Sequence, residues 1–339
     1  MILLSEMHED LSQIAESWWN SFYDFLFTKR KGKYRPFFMN GKSRVPCVSY
    51  AERLEKQAQM TLTGNIQTVT NSVIKYFLDN CKEIILCPPQ ELHSKAATYL
   101  KMLRSGCSNN NEVIGVNKYC SDAFTRLYDS FNHIQGYKTL EMMNVKSCPF
   151  CNRQFIITNS EAGVRPDFDH FLPKSKYPVL AVSFYNLIPI CSTCNKKKGN
   201  KRIRINPYVE RLNVSFSVHK KDDSSVSSLA ELSKLKESEL FVSLQHNSRK
   251  SKNSISVLGL EPVYNSHRYY VESLISKIYA YDRHARAALV NDFLSDGSTE
   301  KDVLDFVWGP YFERSKQEEM PLSKLTADLL NQFGIIPRE

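Results

Sequence analysis

No run of about 18 uninterrupted apolar residues occurs anywhere in the chain, so no transmembrane helix is expected. The first residues lack the basic start and sustained apolar stretch of a secretory signal: Ile2, Leu3 and Leu4 give way at once to Glu6, Glu9 and Asp10. A cytoplasmic location is the expectation. No internal repeat stands out. The nine cysteines are an odd number, and in such a compartment they argue against a disulfide framework.

What is present is an ordinary globular composition, 42% apolar and 24% charged over 339 residues, enough for two or three domains. Lys plus Arg number 45 and Asp plus Glu 36, a net charge of +9. That excess suits a polyanionic partner without establishing one.

The first 145 residues read mainly as helix. Leu11, Ile14, Ala15, Trp18, Phe22, Phe25 and Leu26 recur at three- and four-residue steps. A second helical region runs from about Val48 to Leu86, is broken by Pro88 and Pro89, and is followed by a helix to about Arg104. Ser105–Asn117, with Gly106, three consecutive asparagines and Gly115, reads as a loop. Helix resumes near Ser121 towards Glu141. Beyond Met142 the pattern changes to short strand-like runs, Phe155–Thr158 and Leu180–Phe184, among turn residues and cysteines. Asn213–His219 and Leu240–Gln245 read as strands flanking a Ser-rich exposed loop, Lys220–Ser238. From Asn265 the chain is helical again, with Asn265 or Ser266 as N-cap and Val271, Leu274, Ile275 and Ile278 on one face. A last helix starts at Pro321, with Leu325, Leu329, Leu330 and Phe333 on its apolar side. The fold class is therefore α+β: a small metal-bearing core over 142–212, a helical region over 1–141, and short strands followed by helices over 213–339.

Cys148, Cys151, Cys191 and Cys194 form two CxxC pairs separated by 39 residues. Two matched pairs of thiolates suit tetrahedral zinc, and the long gap leaves room for a folded element that the metal staples at both ends. The bland alternatives are buried or redox cysteines. Cys47, Cys81, Cys87, Cys107 and Cys120 are scattered and read as small core residues.

Between and just after the pairs stand Asp167-Phe168-Asp169-His170-Phe171-Leu172-Pro173-Lys174, then Ser183-Phe184-Tyr185-Asn186-Leu187-Ile188-Pro189, then Asn195-Lys196-Lys197-Lys198-Gly199-Asn200. From Cys148 to Arg204 the chain resembles the HNH (ββα-metal) endonucleases whose core is clamped by a four-cysteine zinc. The core wording resembles the HNH effector subunits of bacterial antiphage systems, of the Septu type and its retron-linked relatives.

The resemblance implies phosphodiester hydrolysis. A neutral imidazole near pH 7 can take a proton from water, the role implied for His170. Hard oxygen donors suit Mg²⁺ or Mn²⁺, and the resemblance assigns that catalytic metal to Asp169 and Asn195. It gives Asn186, the middle Asn of the motif, the task of tying the loop and orienting the base. The alternative reading of Asn195 is a helix N-cap, where Asn is favoured. Asp167 is either a further ligand or a strand brace, and Pro173 sets the turn after the base.

Lys196, Lys197, Lys198, Lys201, Arg202 and Arg204 form a basic run with no acid among them, suited to phosphate contacts or simply to a solvated face. A second basic stretch, Lys29 to Arg44, interleaves Tyr34, Phe37 and Phe38 and suits a nucleic-acid strand, a protein partner or a surface loop. His93, His246, His267 and His284 read as structural.

The Septu-type resemblance implies a nuclease held by an ATPase subunit until infection is sensed, with the helical flanks as docking surface. Two rival readings remain at this point. One is a zinc-stabilised nucleic-acid-binding or scaffold subunit without catalysis. The other is a stand-alone toxin or restriction nuclease.

Overall fold

The structure is a computed structural model. It describes residues 3–7, 10–29, 33–34, 45–46, 49–222, 228–281, 283–295, 297, 299–309 and 319–335. Cys47 and most of the basic stretch between Lys29 and Arg44 lie outside the described residues.

In chain order, helices α1 (Leu4–Met7) and α2 (Leu11–Phe27) precede a two-residue ribbon, β1 (Lys33–Tyr34) with β2 (Val45–Pro46). Helices α3 (Tyr50–Thr61), α4 (Gly64–Asp79), α5 (Cys81–Ile85), α6 (Leu92–Gly106) and α7 (Asn110–Met143) follow. Then come β3 (Asp167–His170), β4 (Leu187–Ile190) and α8 (Ser192–Lys198). The remainder comprises β5 (Ser215–Lys220), α9 (Leu229–Leu232), β6 (Leu240–Gln245), α10 (Arg249–Leu258), α11 (Leu260–Asn265), α12 (Arg268–Ala280), α13 (Arg283–Ser295), α14 (Glu300–Trp308) and α15 (Ser323–Gln332). The class is α+β, mainly helical with two-stranded sheets. No described helix is long and apolar enough to cross a membrane.

The chain divides into two units, each discontinuous in sequence: 8–144 with 158–189, and 1–7 with 145–157 and 190–339.

The first unit holds helices α2 to α7 around an aromatic core. Phe131 of α7 packs edge-on against Trp18 at 4.6 Å and Phe22 at 5.0 Å, and Phe124 against Phe77 at 4.8 Å. Edge-to-face pairs of this kind add to the burial of their large apolar areas. The expected loop at Ser105–Asn117 is instead mostly helix. Asn109 caps α7 by accepting from Glu112 N at 3.0 Å, and Gly115 sits inside the helix where a β-carbon would lie 3.0 Å from Ile66 Cδ1. That glycine permits close helix packing rather than a turn. The expected strand at Leu180–Phe184 is also absent. Pro178 opens a 3₁₀ turn, Pro178–Leu180, and a second spans Phe184–Asn186, so the strand begins only at Leu187. Its partner β3 carries Asp169 and His170; the residue pattern shows no strand-like run there, and only the reading of Asp167 as a strand brace presupposes one.

In the second unit, β5 and β6 pair antiparallel with Phe216 opposite Leu244 and Val218 opposite Val242, all four buried. Both edges of this ribbon are closed by side chains. Asp328 and Gln332 of α15 accept from Phe216 N and Val218 N, each at 2.9 Å, and Asn265 brackets Val242 on the other side. Asn265 is therefore engaged with a strand, and the residue that caps α12 is His267. Helices α10 and α11 add two elements beyond the expected ones. Part of the Ser-rich segment is helix α9, closed by a Ser228–Glu231 capping box. Phe155 makes only an isolated bridge to Ser147.

Candidate active site

His170 ends β3 in the first unit, 8% exposed. Its Nε2 lies 2.9 Å from the main-chain oxygen of Ala181. A carbonyl only accepts, so Nε2 carries the proton and the lone pair resides on Nδ1. The ring of Tyr128, from α7, meets the imidazole edge-on at 4.7 Å, and Lys174 Nζ lies over the Tyr128 ring, 4.6 Å from its centre, while pairing with Asp129. Burial raises the Tyr128 phenol well above its usual range, so it stays neutral.

The loop that supplies the Ala181 carbonyl is held by Asn186, which is fully buried. Its Oδ1 accepts from Leu172 N at 2.8 Å, and its Nδ2 donates to the carbonyls of Leu172 (3.1 Å) and Leu180 (3.0 Å). One amide thus ties the residue two places after His170 to the residue just before Ala181. Asn186 holds the loop on both sides of the Ala181 carbonyl. Pro173 sets the next turn, its carbonyl accepting from Lys176 N and Tyr177 N at 3.0 Å. Trp18 of α2 fixes the same region from outside by donating to the Val182 carbonyl at 3.0 Å and packing on Phe168 and Phe184.

Asp169 precedes His170 on β3 and is 5% exposed, a hard oxygen donor at the end of the strand. Asp167 opens β3, half-buried.

In the second unit the four cysteines converge. All are buried, and their sulfurs lie within 4.8 Å of one another, Cys151 and Cys191 at 3.9 Å. Tetrahedral zinc with bonds of about 2.3 Å sets sulfurs ~3.8 Å apart, whereas a disulfide needs about 2.05 Å. The four thiols therefore fit one zinc ion. The first knuckle is closed by Asn152 N donating to Cys148 O at 2.8 Å, with Asn152 in the left-handed region at φ 45°. The Asn152 side chain accepts from Ser323 Oγ and Lys324 N and donates to Ser147 Oγ and Met320 O, which joins the knuckle to the start of α15. Tyr264, buried on α11, donates its hydroxyl to the Cys151 carbonyl. Of the scattered cysteines, Cys81, Cys87 and Cys120 are buried in the core and Cys107 is half-buried; burial pushes the Cys87 thiol up to about 11.

The second knuckle passes straight into α8. Cys191 is the N-cap, its sulfur accepting from Cys194 N at 3.4 Å. The N-cap reading of Asn195 is thereby excluded, since Asn195 lies inside the helix, half-buried. Lys196, Lys197, Lys201, Arg202 and Arg204 are exposed, but Lys198 is only 2% exposed. It stands one helical turn after buried Cys194 and shares that inward face, so it is not on the solvated surface with the other five. The spacing of four from Cys194 is the signal that separates it.

Sequence reasoning placed Trp18 in the core without its hydrogen bond, and missed the support given by Tyr128, Asn152 and Tyr264. A further pair escaped it: Arg153 donates to His267 Nε2 at 2.8 Å, so His267 is neutral, and burial followed by the Arg153 charge lowers its pKa.

Comparison with known proteins converges on the same segment. Residues 148–201 match the family model of the HNH endonuclease. Over 75 residues the chain is 41% identical to Septu protein PtuB of Bacillus thuringiensis, a match covering 21% of this chain and 27% of that protein. The chain thus spans about a quarter of the length of the curated relative it matches. No solved structure matches. The chain carries an HNH domain, and with it four cysteines gathered for a metal ion.

Proposed function

We propose that this HNH-bearing chain is a metal-dependent nuclease that hydrolyses phosphodiester bonds, and that it serves as an antiphage defence effector. The observation that carries the reading is the His170 arrangement: a buried imidazole whose Nε2 proton is spoken for by the Ala181 carbonyl, within a loop clamped by Asn186.

His170 Nδ1 takes the proton from the attacking water. The ring is held in place by the Ala181 hydrogen bond and the edge-on packing with Tyr128, so little orientation is lost on reaction. Asp169 and Asn195 are the residues that would hold Mg²⁺ or Mn²⁺, as the motif order assigns them. Such an ion supplies charge neutralisation at the phosphoryl and leaving oxygens. Lys196, Lys197, Lys201, Arg202 and Arg204 grip phosphates, with Lys198 acting from within the helix packing. Cys148, Cys151, Cys191 and Cys194 hold a structural zinc. The nuclease core occupies 142–212, and Asp167 braces β3.

Septu protein PtuB is named for a defence system, and the partial identity to it supports a place in a defence complex. The partner in this reading is an ATPase subunit, and the complex works in the cytoplasm. The test is cleavage of plasmid DNA, single-stranded DNA and total tRNA by the purified chain, with Mg²⁺, with Mn²⁺ and with chelator, alone and with whatever co-purifies from the host. Metal-dependent cleavage of one substrate class is expected. Cleavage indifferent to chelator, or none with the partner present, contradicts the reading.

A further inference from the structure

In the first unit, three contacts lay residues 160–170 antiparallel along α7. His170 meets Tyr128, Arg165 Nη1 donates to Asn132 Oδ1 at 3.0 Å, and Ser160 N donates to Glu141 Oε1 at 3.2 Å. Arg165 is fixed further by its neighbours on the helix. Its Cζ lies 5.1 Å from the centre of the Tyr137 ring, and its end group fills the space that Gly136 leaves open. A β-carbon at Gly136 would lie 2.5 Å from Arg165 Nη1 and 2.3 Å from Asn132 Oδ1. Gly136 stands inside α7, where alanine is the better helix former, so the glycine serves the close approach of Arg165.

The guanidinium is half-buried, yet among the described residues it forms no ion pair. It carries five N–H donors, and its hydrogen bond to Asn132 uses one of them. Lys174, beyond the other end of β3, differs in that Asp129 pairs with it at 3.5 Å. Arg165 also belongs electrostatically to the site: beyond the burial that raises the Tyr128 phenol, the Arg165 charge lowers it, and Asp129, Asp167 and Asp169 raise it. From Tyr128 to Gly136 is about 12 Å along the helix axis, which spans roughly three to four phosphates at the ~3.4 Å rise of one duplex strand.

We propose that Arg165 binds a backbone phosphate of the nucleic-acid strand, a few phosphates along from the bond that His170 attacks. The proposal rests on the nuclease reading and adds to it a contact outside the basic run that starts in α8. A planar guanidinium presents paired donors that match two phosphate oxygens, and the Tyr137 ring holds that plane. The bond to Asn132 and the space over Gly136 order the side chain in advance, so binding loses little further rotamer freedom. Phosphate contacts set the register of a strand and read no bases, so Arg165 places the strand at the site without choosing its sequence.

The experiment is fluorescence-anisotropy titration of the zinc-loaded full chain carrying His170→Ala, so that binding is read without cleavage. The probes are a short DNA duplex, a DNA single strand and an RNA single strand, each titrated between about 50 and 200 mM salt. Arg165→Gln should weaken binding of the preferred probe about tenfold and flatten the slope of log affinity against log salt by ~0.7–0.9, the share of one phosphate. Arg165→Lys keeps the charge without the fork, and should keep the slope with part of the affinity. Gly136→Ala should weaken binding as Arg165→Gln does. Its methyl displaces only the ends of two side chains and α7 gains a better helix former, so its melting temperature should not fall. Parental affinity in either Arg165→Gln or Gly136→Ala overturns the proposal and leaves the nuclease reading untouched. A loss matched by a fall in melting temperature makes Arg165 a structural residue and overturns it equally. Binding to none of the probes contradicts the nuclease reading, and the proposal with it.

Discussion

His170 Nε2 donates to the main-chain oxygen of Ala181 at 2.9 Å, and this single bond decides which nitrogen of the imidazole can act as a base. The acceptor is backbone, so it is maintained by the loop and not by any one side chain at position 181. The loop in turn depends on Asn186 and on the α7 residues packed against the ring.

Tyr128 meets His170 through its ring edge geometry and not through its hydroxyl. Tyr128→Phe should therefore retain cleavage. Tyr128→Ala removes the surface that steadies the imidazole, and a misplacement of about 1 Å is enough to cost ~10²-fold in rate. Single-turnover cleavage by the two variants separates them; equal rates would remove Tyr128 from the positioning role.

Asn186→Ala leaves Leu172 N and Leu172 O without their partner in a fully buried place, while Leu180 O keeps its bond from Ser183 N. Each stranded group costs about 1–3 kcal/mol, so a loss of ~2 kcal/mol or more is expected in denaturant unfolding. Asn186→Asp keeps the acceptor for Leu172 N but sets a carboxylate against two carbonyls, and should be at least as damaging.

Removing zinc should unfold the unit that contains α8 and β5–β6. Structural zinc contributes an apparent ~10–16 kcal/mol, as large as the whole stability of a domain at about 5–15 kcal/mol. One zinc per chain is expected by elemental analysis, and Cys194→Ser should lose it together with the cooperative thermal transition. A Cys194→Ser chain that melts like the wild type would contradict the assignment.

The Arg153–His267 pair predicts a pH effect of definite sign. Burial and the Arg153 charge lower the His267 pKa, so below its ordinary value of about 6.5 the unfolded chain binds the proton that the folded chain refuses. The stabilisation is complete above that value and is lost as pH falls towards the lowered folded pKa. His267→Gln keeps an acceptor for Arg153 and removes the titration, so its melting temperature should fall less than that of the wild type over the same acid range. Parallel curves would show that His267 is not the titrating group.

The zinc cysteines were legible because two CxxC pairs encode a local geometry that sequence spacing fixes directly. His170 and Asn186 were singled out because their motif is short and ordered along the chain, although their roles stay proposals. The support around them was not legible. Tyr264 reaches Cys151 across 113 residues and Asn152 binds Ser323 across 171, and no local spacing encodes such pairings. Helix α7 was cut short because Asn109–Asn111 and Gly115 read as loop chemistry, when Asn109 was a cap and Gly115 a packing glycine. Strand β3 was hidden by its own content: two aspartates and a histidine have low strand propensity, and only tertiary packing places them there.

The most direct test is cleavage by the wild-type chain against His170→Ala, with zinc content and melting temperature measured on the same samples. Loss of cleavage by about 10²–10⁴-fold, with zinc at one per chain and melting unchanged, is the result expected of a general base. Full cleavage by His170→Ala, with its fold intact, would contradict the account.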